Sequence, residues 1–368
     1  MGGFGGDNLG DELICLSMIA SLVKARSEQE IKVFTFDKNV SRKNFPNFEG
    51  EFVDYCCIWD FVQIIKNFIR LRLCRRFRFH SGDVVVIGGG GLFYEYSMGH
   101  LVSWFSRVLY LRLRHIDYVV HANSFHSPKG WLGVFFVKKI VGWAKFVTVR
   151  DRLSLRNLRL YGVSRDIELC NDVVFGIPAK RSEVNGSSGR SQVAFILRPW
   201  VSYGDVQVAF WAEKIQEVLR EGGGVDLLCF DLREDVSFAH AIREQVGVDS
   251  LGIKPLSADM GIGSILSVIS GYGAIVSMRF HGLVLSVMAG VPVLSIAYDD
   301  KILGLCSELG MDDFCKVLQG DDLALTDLAD VLDDVRSRES SFLDSCERLT
   351  ADKSYENLLI DAVRRCGK

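Results

Sequence analysis

Short and almost continuously apolar runs, rich in β-branched residues, recur along the chain and alternate with segments of helical periodicity. These runs are residues 31–36, 83–88, 118–122, 146–149, 193–197, 225–230, 274–277 and 293–297. Strands that are apolar on both faces are typical of parallel sheets covered by helices on both sides. The pattern predicts an α/β fold with two Rossmann-like domains whose parallel sheets face a cleft.

The length of 368 residues is sufficient for two domains with separate cores. Residues 179–192 are polar and rich in glycine and serine, which is typical of a linker. We therefore expect an N-terminal domain over residues 1–178 and a C-terminal domain over residues 193–321. Residues 322–368 are helical in pattern, and we expect them to pack on the outside or to return to the first domain.

The composition limits which binding partners and which cellular compartment the sequence favours. The net charge is -3, so no global positive field indicates a nucleic-acid partner. The 10 cysteines lie mostly in apolar runs without a CxxC pair, which predicts buried thiols in a reducing cytosol and no metal site. The longest apolar stretch, residues 131–143, is interrupted by lysines and is shorter than a membrane span. These features predict a cytoplasmic protein.

Polar residues follow the predicted strands at their carboxyl ends, where open parallel sheets bind ligands. They are Gly88–Gly91, Asn123, Arg150 with Asp151, Arg198, Asp231, Arg279 with His281, and Tyr298 with Lys301. Arginine binds carboxylates and phosphates bidentately, and lysine adds a point charge. The set therefore predicts a site for a small anion with several charges, in which a histidine beside an arginine serves as acid or base.

Each of these residues has a structural alternative. A solvated loop residue or a helix-cap partner explains Arg198 as well as a ligand contact does. For Arg150 the alternative is a surface ion pair with Asp151. His281 opens an apolar helical stretch, where a hydrogen-bonded core histidine is common.

The amino end carries a glycine-rich loop, GGFGGDNLGDE, directly before an apolar helix. Asn8 and Asp11 lie where they either cap this helix or contact a ligand. In a βαβ unit such a loop follows a strand, and here no strand precedes it. Our hypothesis is that the natural translation start lies upstream or that the chain is truncated.

Residues 69–80 carry five arginines interleaved with leucine and phenylalanine. One interpretation is a helix with an exposed basic face and its apolar residues packed inward. The alternative is a peripheral contact with an anionic membrane.

Six segments together resemble the polysaccharide pyruvyltransferase family, in the same order from residue 1 to about residue 305. They are GGFGGDNLGDE, IGGGGLF, VRDRLSLRNL, CNDVVF, ILRPW and SMRFHGLVLSVMAGVPVLSIAYDDK. The last segment is the specific one. The resemblance implies a fold similar to GT-B glycosyltransferases, with phosphoenolpyruvate as donor substrate and no cofactor or metal. It also implies a saccharide acceptor, lipid-linked or free, from a cell-wall or exopolysaccharide precursor.

The resemblance implies roles for individual residues. Arg150, Arg279 and Lys301 hold the carboxylate and phosphate of the donor, to which Arg198 is a further candidate. His281 acts with Arg279 in catalysis by protonating the methylene carbon of the donor. The acceptor side is formed by Asn8, Asp11, Asn123, Asp172 and the glycine loop that contains Gly89 and Gly90.

Two departures from the family pattern affect these expectations. Many members carry a Gly-Pro turn after the strand at 118–122, where this chain has HANSFHSPKG, and relatives usually have a strand before the first glycine loop. Two other functions remain open at this stage. One is a GT-B glycosyltransferase that uses a nucleotide sugar and grips its ribose with Asp231, and the other is a non-catalytic two-domain anion-binding protein.

Overall fold

In the structure, a computed structural model, all eight predicted runs form strands. The structure describes residues 1–57, 77–93, 98–126, 130–177, 191–200, 206–298, 300–317, 328–351 and 354–366. Residues 179–190 of the predicted linker and most of the arginine-rich stretch at 69–80 lie outside the described residues. The linker was predicted to extend to residue 192, but Gln192 is already the first residue of a strand.

The chain divides into two compact units. The first contains Met1–Gly6, Asp11–Ile177 and Asp352–Lys368, and the second contains Asp7–Gly10 and Pro178–Ala351. The amino-terminal loop is therefore divided between the two units, and so are the carboxyl-terminal helices.

The first unit is built on parallel strands. Its strands are β1 (Lys32–Thr35), β2 (Glu51–Asp54), β3 (Val84–Gly90), β4 (Asp117–Asn123), β5 (Phe146–Val149) and β6 (Glu168–Leu169). They form two sheets, one of order β1-β2 and one of order β3-β4-β5-β6, and every pairing in both is parallel.

The helices of the first unit supply the amphipathic faces that cover these sheets. They are α1 (Leu9–Leu22, whose first two residues group with the second unit), α2 (Lys38–Asn44), α3 (Met98–Leu113), α4 (Trp131–Trp143), α5 (Arg152–Leu160) and, near the carboxyl end, α13 (Ser354–Cys366). A buried cluster that includes Ile87, Trp104, Val120, Ile140 and Val149 forms the core.

The second unit contains one six-stranded parallel sheet. Its strands are β7 (Gln192–Ile196), β8 (Gly224–Cys229), β9 (Gly252–Pro255), β10 (Ala274–Ser277), β11 (Val293–Ala297) and β12 (Cys315–Val317). The order is β12-β11-β10-β7-β8-β9. Because the chain runs outward in both directions from the neighbours β7 and β10, the order reverses between them, which is the switch point where such sheets bind ligands.

The helices of the second unit alternate with these strands. They are α6 (Val206–Arg220), α7 (Asp235–Val246), α8 (Ile262–Ile269), α9 (Phe280–Ala289), α10 (Asp300–Glu308), α11 (Leu328–Ser337) and α12 (Glu339–Ala351). Helix α9 is buried along almost its whole length, and it ends at Gly290, whose φ of 73° is the left-handed conformation that glycine adopts without strain.

The strands β2, β6, β9 and β12 were not predicted from the sequence. Each lies at the edge of its sheet, and each is short. Edge strands are partly solvated and carry charged or polar residues, so they lack the continuous hydrophobicity used to recognise a buried strand.

Candidate functional site

The carboxyl edge of the second unit's sheet brings together several residues that the sequence singled out. Arg198 follows β7, Arg279 follows β10, and Tyr298 with Lys301 follows β11. These three strands are neighbours in the sheet, and Arg198 and Arg279 flank the switch point. Arg198, Arg279 and Lys301 therefore follow strands that are adjacent in the sheet.

Arg279 and His281 lie at the start of α9. Arg279 is the N-cap residue in an extended conformation, and its N–H donates to the Ser277 hydroxyl at 3.2 Å. A Cβ at Gly282 would lie 2.2 Å from Ser277 Oγ, which explains the glycine after His281. The first turn of a helix presents backbone N–H groups and a partial positive charge, so this end of α9 favours an anion.

The Arg279 guanidinium is held by a buried carboxylate. Its Nη2 donates to Asp235 Oδ1, and Asp235 Oδ2 accepts from the N–H groups of Phe230 and Asp231 at 2.9 Å each. Within the described part of the chain, Arg279 Nε is a buried donor without an acceptor. A buried N–H of this kind is what an oxygen of a bound anion would satisfy.

His281 stands beside the amino-terminal loop. A Cβ at Gly10 would lie only 2.0 Å from His281 Nδ1, so the absence of a side chain at residue 10 leaves room for the imidazole. Asn8 Oδ1 accepts from the Gly10 N–H at 3.1 Å, and Asn8 forms an antiparallel bridge with Asp231. Asn8 therefore lies in the short loop segment that reaches His281 and groups with the second unit, whereas Asp11 groups with the first unit.

Arg198 and Lys301 both lie close to the same aromatic ring. Arg198 Nη1 donates to Tyr298 Oη at 3.1 Å, and its guanidinium lies 4.9 Å from the centre of that ring. Lys301 Nζ lies 5.5 Å from the same centre, and the rings of Tyr298 and Trp200 are 4.6 Å apart. The two predicted cations thus share one aromatic cluster.

Arg150 lies in a buried polar network in the first unit. Its Nη1 donates to Asp172 Oδ2, and its Nε donates to Ser124 Oγ at 2.7 Å. Ser124 Oγ in turn donates to Asp151 Oδ2 at 2.7 Å, and Asp151 Oδ1 caps α5 by accepting from the Ser154 N–H. Arg150 is thus paired with Asp172, and Asp151 serves as the helix cap.

The glycine loop after β3 packs against α1. A Cβ at Gly89 would lie 1.9 Å from Ile14 Cγ2, and Gly89 and Gly90 both have positive φ, of 76° and 78°. Asp11 Oδ1 would lie 3.7 Å from a Cβ at Gly90, so the predicted residues Asp11 and Gly90 are neighbours. Glycine here allows the helix to approach the strand closely.

Asn123 ends β4 beside this loop and is fully buried. Its amide nitrogen donates to the carbonyl oxygens of Ile87 at 3.1 Å and His121 at 3.0 Å. Its Oδ1 is buried without a donor among the described residues. Asn123 therefore both ties β4 to β3 and offers one unsatisfied acceptor.

Two buried titratable groups in the first unit were not singled out as site residues from the sequence. Glu12 Oε1 accepts from the Gly5 N–H at 2.6 Å, and burial raises the pKa of Glu12. His121 lies inside β4, and burial lowers its pKa to about 3. Asp235 was also missed, although its position early in α7, after β8, is a signal that could have found it.

No group of three or more His, Cys, Asp or Glu side chains suited to a metal ion occurs among the described residues. Nor does any described helix combine the length and apolar character needed to cross a membrane.

The fold is similar to solved structures of sugar-modifying enzymes. One is the UDP-GlcNAc 2-epimerase from Neisseria meningitidis bound to UDP-GlcNAc, with a TM-score of 0.57 and 9% identity over 97% of this chain and 95% of that chain. Another is a glycosyltransferase from Rickettsia africae, with a TM-score of 0.56 and 10% identity over 99% and 94% of the two chains. At such identity the likeness shows the fold alone, which is of GT-B type.

A third similar structure is the putative UDP-N-acetylglucosamine 2-epimerase from Listeria monocytogenes, with a TM-score of 0.52 and 11% identity over 98% of this chain and 90% of that chain. None of the curated protein sequences compared with the chain matches it. The sequence model of the family described as polysaccharide pyruvyl transferase matches residues 8–300, a range that holds Asn8, Arg279 and His281. The chain therefore belongs to the polysaccharide pyruvyl transferase family.

Proposed function

We propose that this protein transfers pyruvate from phosphoenolpyruvate to two hydroxyls of one sugar residue, in a cell-surface polysaccharide or its precursor. The product is a cyclic pyruvate ketal, and phosphate is released. The observation that carries the proposal is the family match over residues 8–300, within which Arg279 and His281 lie at the start of α9.

The donor belongs at the carboxyl edge of the second unit's sheet. Phosphoenolpyruvate carries a carboxylate and a phosphate, and the start of α9 combines helix N–H groups with the buried Arg279 guanidinium. Because Asp235 occupies one edge of this guanidinium, its orientation is set before the donor binds. Lys301 and Arg198 supply the second pair of cations, at the ends of β11 and β7.

His281 is assigned as the acid. It delivers a proton to the methylene carbon of the donor, which becomes a methyl group, and C2 becomes electrophilic. One sugar hydroxyl oxygen bonds to C2, the C2–O bond to phosphate breaks, and the second hydroxyl closes the ring. Two hydroxyl protons are lost, one to replace the proton on His281 and one to leave with phosphate. Fixed cations stabilise the departing phosphate.

The acceptor side is assigned to residues of the glycine loops. Asp11, Gly89 and Gly90 lie together in the first unit, and Asn123 offers a buried acceptor oxygen near them. Asn8 is grouped with the second unit, beside Asp231. Arg150 and Asp172 satisfy one another in a buried pair, so we expect them to support this side through the fold rather than by gripping the donor directly.

Calorimetric titration with phosphoenolpyruvate, set beside UDP-GlcNAc, tests the donor without knowledge of the acceptor. We expect saturable binding of phosphoenolpyruvate alone, followed by phosphate release when saccharide acceptors are screened. Binding of UDP-GlcNAc alone would assign the chain to nucleotide-sugar chemistry instead. Binding of phosphoenolpyruvate that is returned unchanged with every acceptor would favour a non-catalytic binding protein.

Arg279→Lys is the sharpest variant for the donor site. Lysine keeps a positive charge near Asp235 but loses the planar fork, so we expect the Kd for phosphoenolpyruvate to rise roughly 10- to 100-fold. Arg279→Ala is less informative, because it leaves the buried Asp235 carboxylate without its counter-charge, at a cost of about 3–5 kcal/mol in stability. Arg220→Lys, at an exposed position ending α6, is the matched control. An unchanged Kd in folded Arg279→Lys would remove Arg279 from the donor site.

A further inference from the structure

Three large apolar side chains on the helices α3 and α4 of the first unit are exposed to solvent. Trp131, which begins α4, is 81% exposed, and Phe135, one helical turn later, is 43% exposed. Leu113, which ends α3, is 70% exposed. Residues four positions apart lie on the same face of a helix, and tryptophan in a folded protein is usually buried over most of its surface. The core of the unit therefore does not explain Trp131 and Phe135.

An aromatic cluster continues this surface across both helices. The ring centre of Phe135 lies 5.8 Å from that of Phe136 and 6.3 Å from that of Phe105 in α3. The ring centre of Phe105 lies 4.6 Å from that of Phe136 and 5.8 Å from that of Trp143, at the end of α4. Phe105, Phe136 and Trp143 are half-buried. We call these five residues, Trp131 included, the aromatic patch. Contiguous apolar patches of this kind mark contacts with a partner or a membrane.

The charges that accompany the aromatic patch are all positive. Lys139 Nζ lies 5.6 Å from the ring centre of Phe135 and 5.8 Å from that of Trp143. The guanidinium of Arg112, in the last turn of α3, lies 5.2 Å from the ring centre of Trp143. The sequences of α3 and α4 together contain four arginine or lysine residues and no aspartate or glutamate. The whole chain has a net charge of -3, so this face is basic on a protein that is slightly acidic.

This combination of side chains fits an anionic lipid surface better than a second copy of the chain. Tryptophan and phenylalanine enter the boundary between lipid headgroups and tails, and lysine and arginine are attracted to anionic headgroups. A twofold contact between two copies would bring the same cations together. Because α3 and α4 carry no carboxylate that could neutralise those cations, like charges would oppose such a contact.

We propose that the aromatic patch is a membrane-binding surface, on which Trp131 and Phe135 enter the headgroup region of an anionic bilayer while Arg112 and Lys139 contact lipid phosphates. The patch shares no residue with the arginine-rich stretch at 69–80. Insertion of two side chains gives only weak attachment by itself, so binding also needs electrostatic attraction and weakens as the salt concentration rises.

Sedimentation of the whole chain with vesicles of phosphatidylglycerol and phosphatidylcholine in equal parts, at low salt, tests the patch. For the double variant Trp131→Ser with Phe135→Ser we expect the partition coefficient to fall at least roughly tenfold, because two apolar side chains no longer leave water. The matched control is Leu160→Ser with Val206→Ser, at the end of α5 and the start of α6, where the side chains are 72% and 71% exposed. This control should keep the parent partition coefficient. Because all four side chains are exposed, we expect both double variants to stay folded, which circular dichroism checks.

Quenching of tryptophan fluorescence by brominated lipids locates the contact among the six tryptophans of the chain. Trp131→Phe keeps an aromatic side chain at this position, so it should sediment like the parent protein but lose most of the quenching.

Three outcomes would overturn the proposal. They are a parent protein that stays in solution with these vesicles, equal partition of the Trp131→Ser, Phe135→Ser variant and its control, and unchanged quenching in Trp131→Phe. A parent protein that dimerises as its concentration rises, without binding vesicles, would assign the patch to a second copy if the serine variant stays monomeric. None of these readouts depends on turnover, so they are independent of the proposed function.

Discussion

At the scale of single residues, Gly10 controls the space available to His281. The residue lies in α1 with ordinary helical backbone, so alanine is tolerated by the chain itself, but the added Cβ would lie 2.0 Å from His281 Nδ1. The imidazole must therefore move in Gly10→Ala. We expect kcat for ketal formation to fall roughly tenfold or more, because small misplacements of an acid are costly.

Gly263→Ala is the matched control for Gly10→Ala. Gly263 lies in α8, and a Cβ there would meet no atom within 4 Å. This control should keep the parent kcat and gain up to about 1 kcal/mol of stability. A Gly10→Ala protein with the parent kcat would contradict the catalytic role that we propose for His281.

The buried His121 predicts a pH dependence of folding. Burial lowers its pKa to about 3, whereas an unfolded histidine titrates near 6.5. Between these values the unfolded chain binds a proton that the folded chain does not. Stability therefore falls as the pH drops below about 6.5, by as much as about 1.4 kcal/mol per pH unit from this residue.

Urea unfolding of the parent and of His121→Gln at pH 7.0, 6.0 and 5.0 measures this contribution. Glutamine does not titrate, so the variant lacks the loss of stability that His121 causes at low pH. Relative to the parent, the free energy of unfolding of the variant should therefore rise by about 1 kcal/mol for each pH unit below pH 6. A difference that stays constant with pH would show that His121 is not buried in the neutral form.

At the scale of elements, an ion pair ties β5 to the segment after β6. Arg150 directly follows β5, and Asp172 caps the short 3-10 helix Val173–Gly176 by accepting from the Val174 N–H at 3.0 Å. Both side chains are 3% exposed, so this ion pair is shielded from water. Asp172→Asn should therefore cost about 3–5 kcal/mol in free energy of unfolding, because it removes the charge of the buried carboxylate to which Arg150 Nη1 donates.

An exposed pair provides the comparison for Asp172→Asn. Arg338 Nη2 lies 3.2 Å from Asp334 Oδ2, and the two side chains are 48% and 52% exposed. Asp334→Asn should therefore lower the free energy of unfolding by at most about 1 kcal/mol. Chemical denaturation of both variants measures the contrast. Equal and small losses would mean that the Arg150 pair does not support the first unit.

A bulge near the end of β4 places the site residue Asn123. The pairing of β4 with β5 shifts register between Val120 and Asn123, and Ala122 has a φ of 49°. A left-handed alanine is strained, and such strain next to a proposed site is consistent with a bulge that re-aims a side chain.

At the scale of the whole molecule, the arginine-rich stretch at 69–80 leads to a prediction about membranes. Its described end packs inward, because Phe79 is buried and stacks on Phe34 at 5.7 Å. A peripheral contact by the arginines stays a prediction, to be tested by sedimentation with vesicles that contain phosphatidylglycerol. We expect binding at low salt that weakens as ionic strength rises.

The control for membrane binding replaces the basic residues Arg70, Arg72, Arg75, Arg76 and Arg78 by glutamine. This variant should stay in the supernatant at every salt concentration. A parent protein that also stays in solution with anionic vesicles would rule out the contact.

Much of the fold could be predicted because its signals are local. The apolar runs of β3, β7 and β10 are visible in a few consecutive residues, and so is the Arg279 to His281 segment at the end of a strand. Edge strands such as β9 and β12 were not predicted, because partial burial removes the pattern that marks a strand.

The partners of the site residues were decided by the tertiary structure. Asp235, the partner of Arg279, lies 44 positions before it. Asp172, the partner of Arg150, lies 22 positions after it, whereas the sequence suggested the adjacent Asp151 as the partner. Gly10 and His281 are far apart in sequence and adjacent in space. By itself, the sequence determined which residues start a helix or end a strand, because backbone propensity and hydrophobic periodicity act over a few residues. Only packing decided which charges share a buried pair, because burial and contact depend on segments that are distant in the chain.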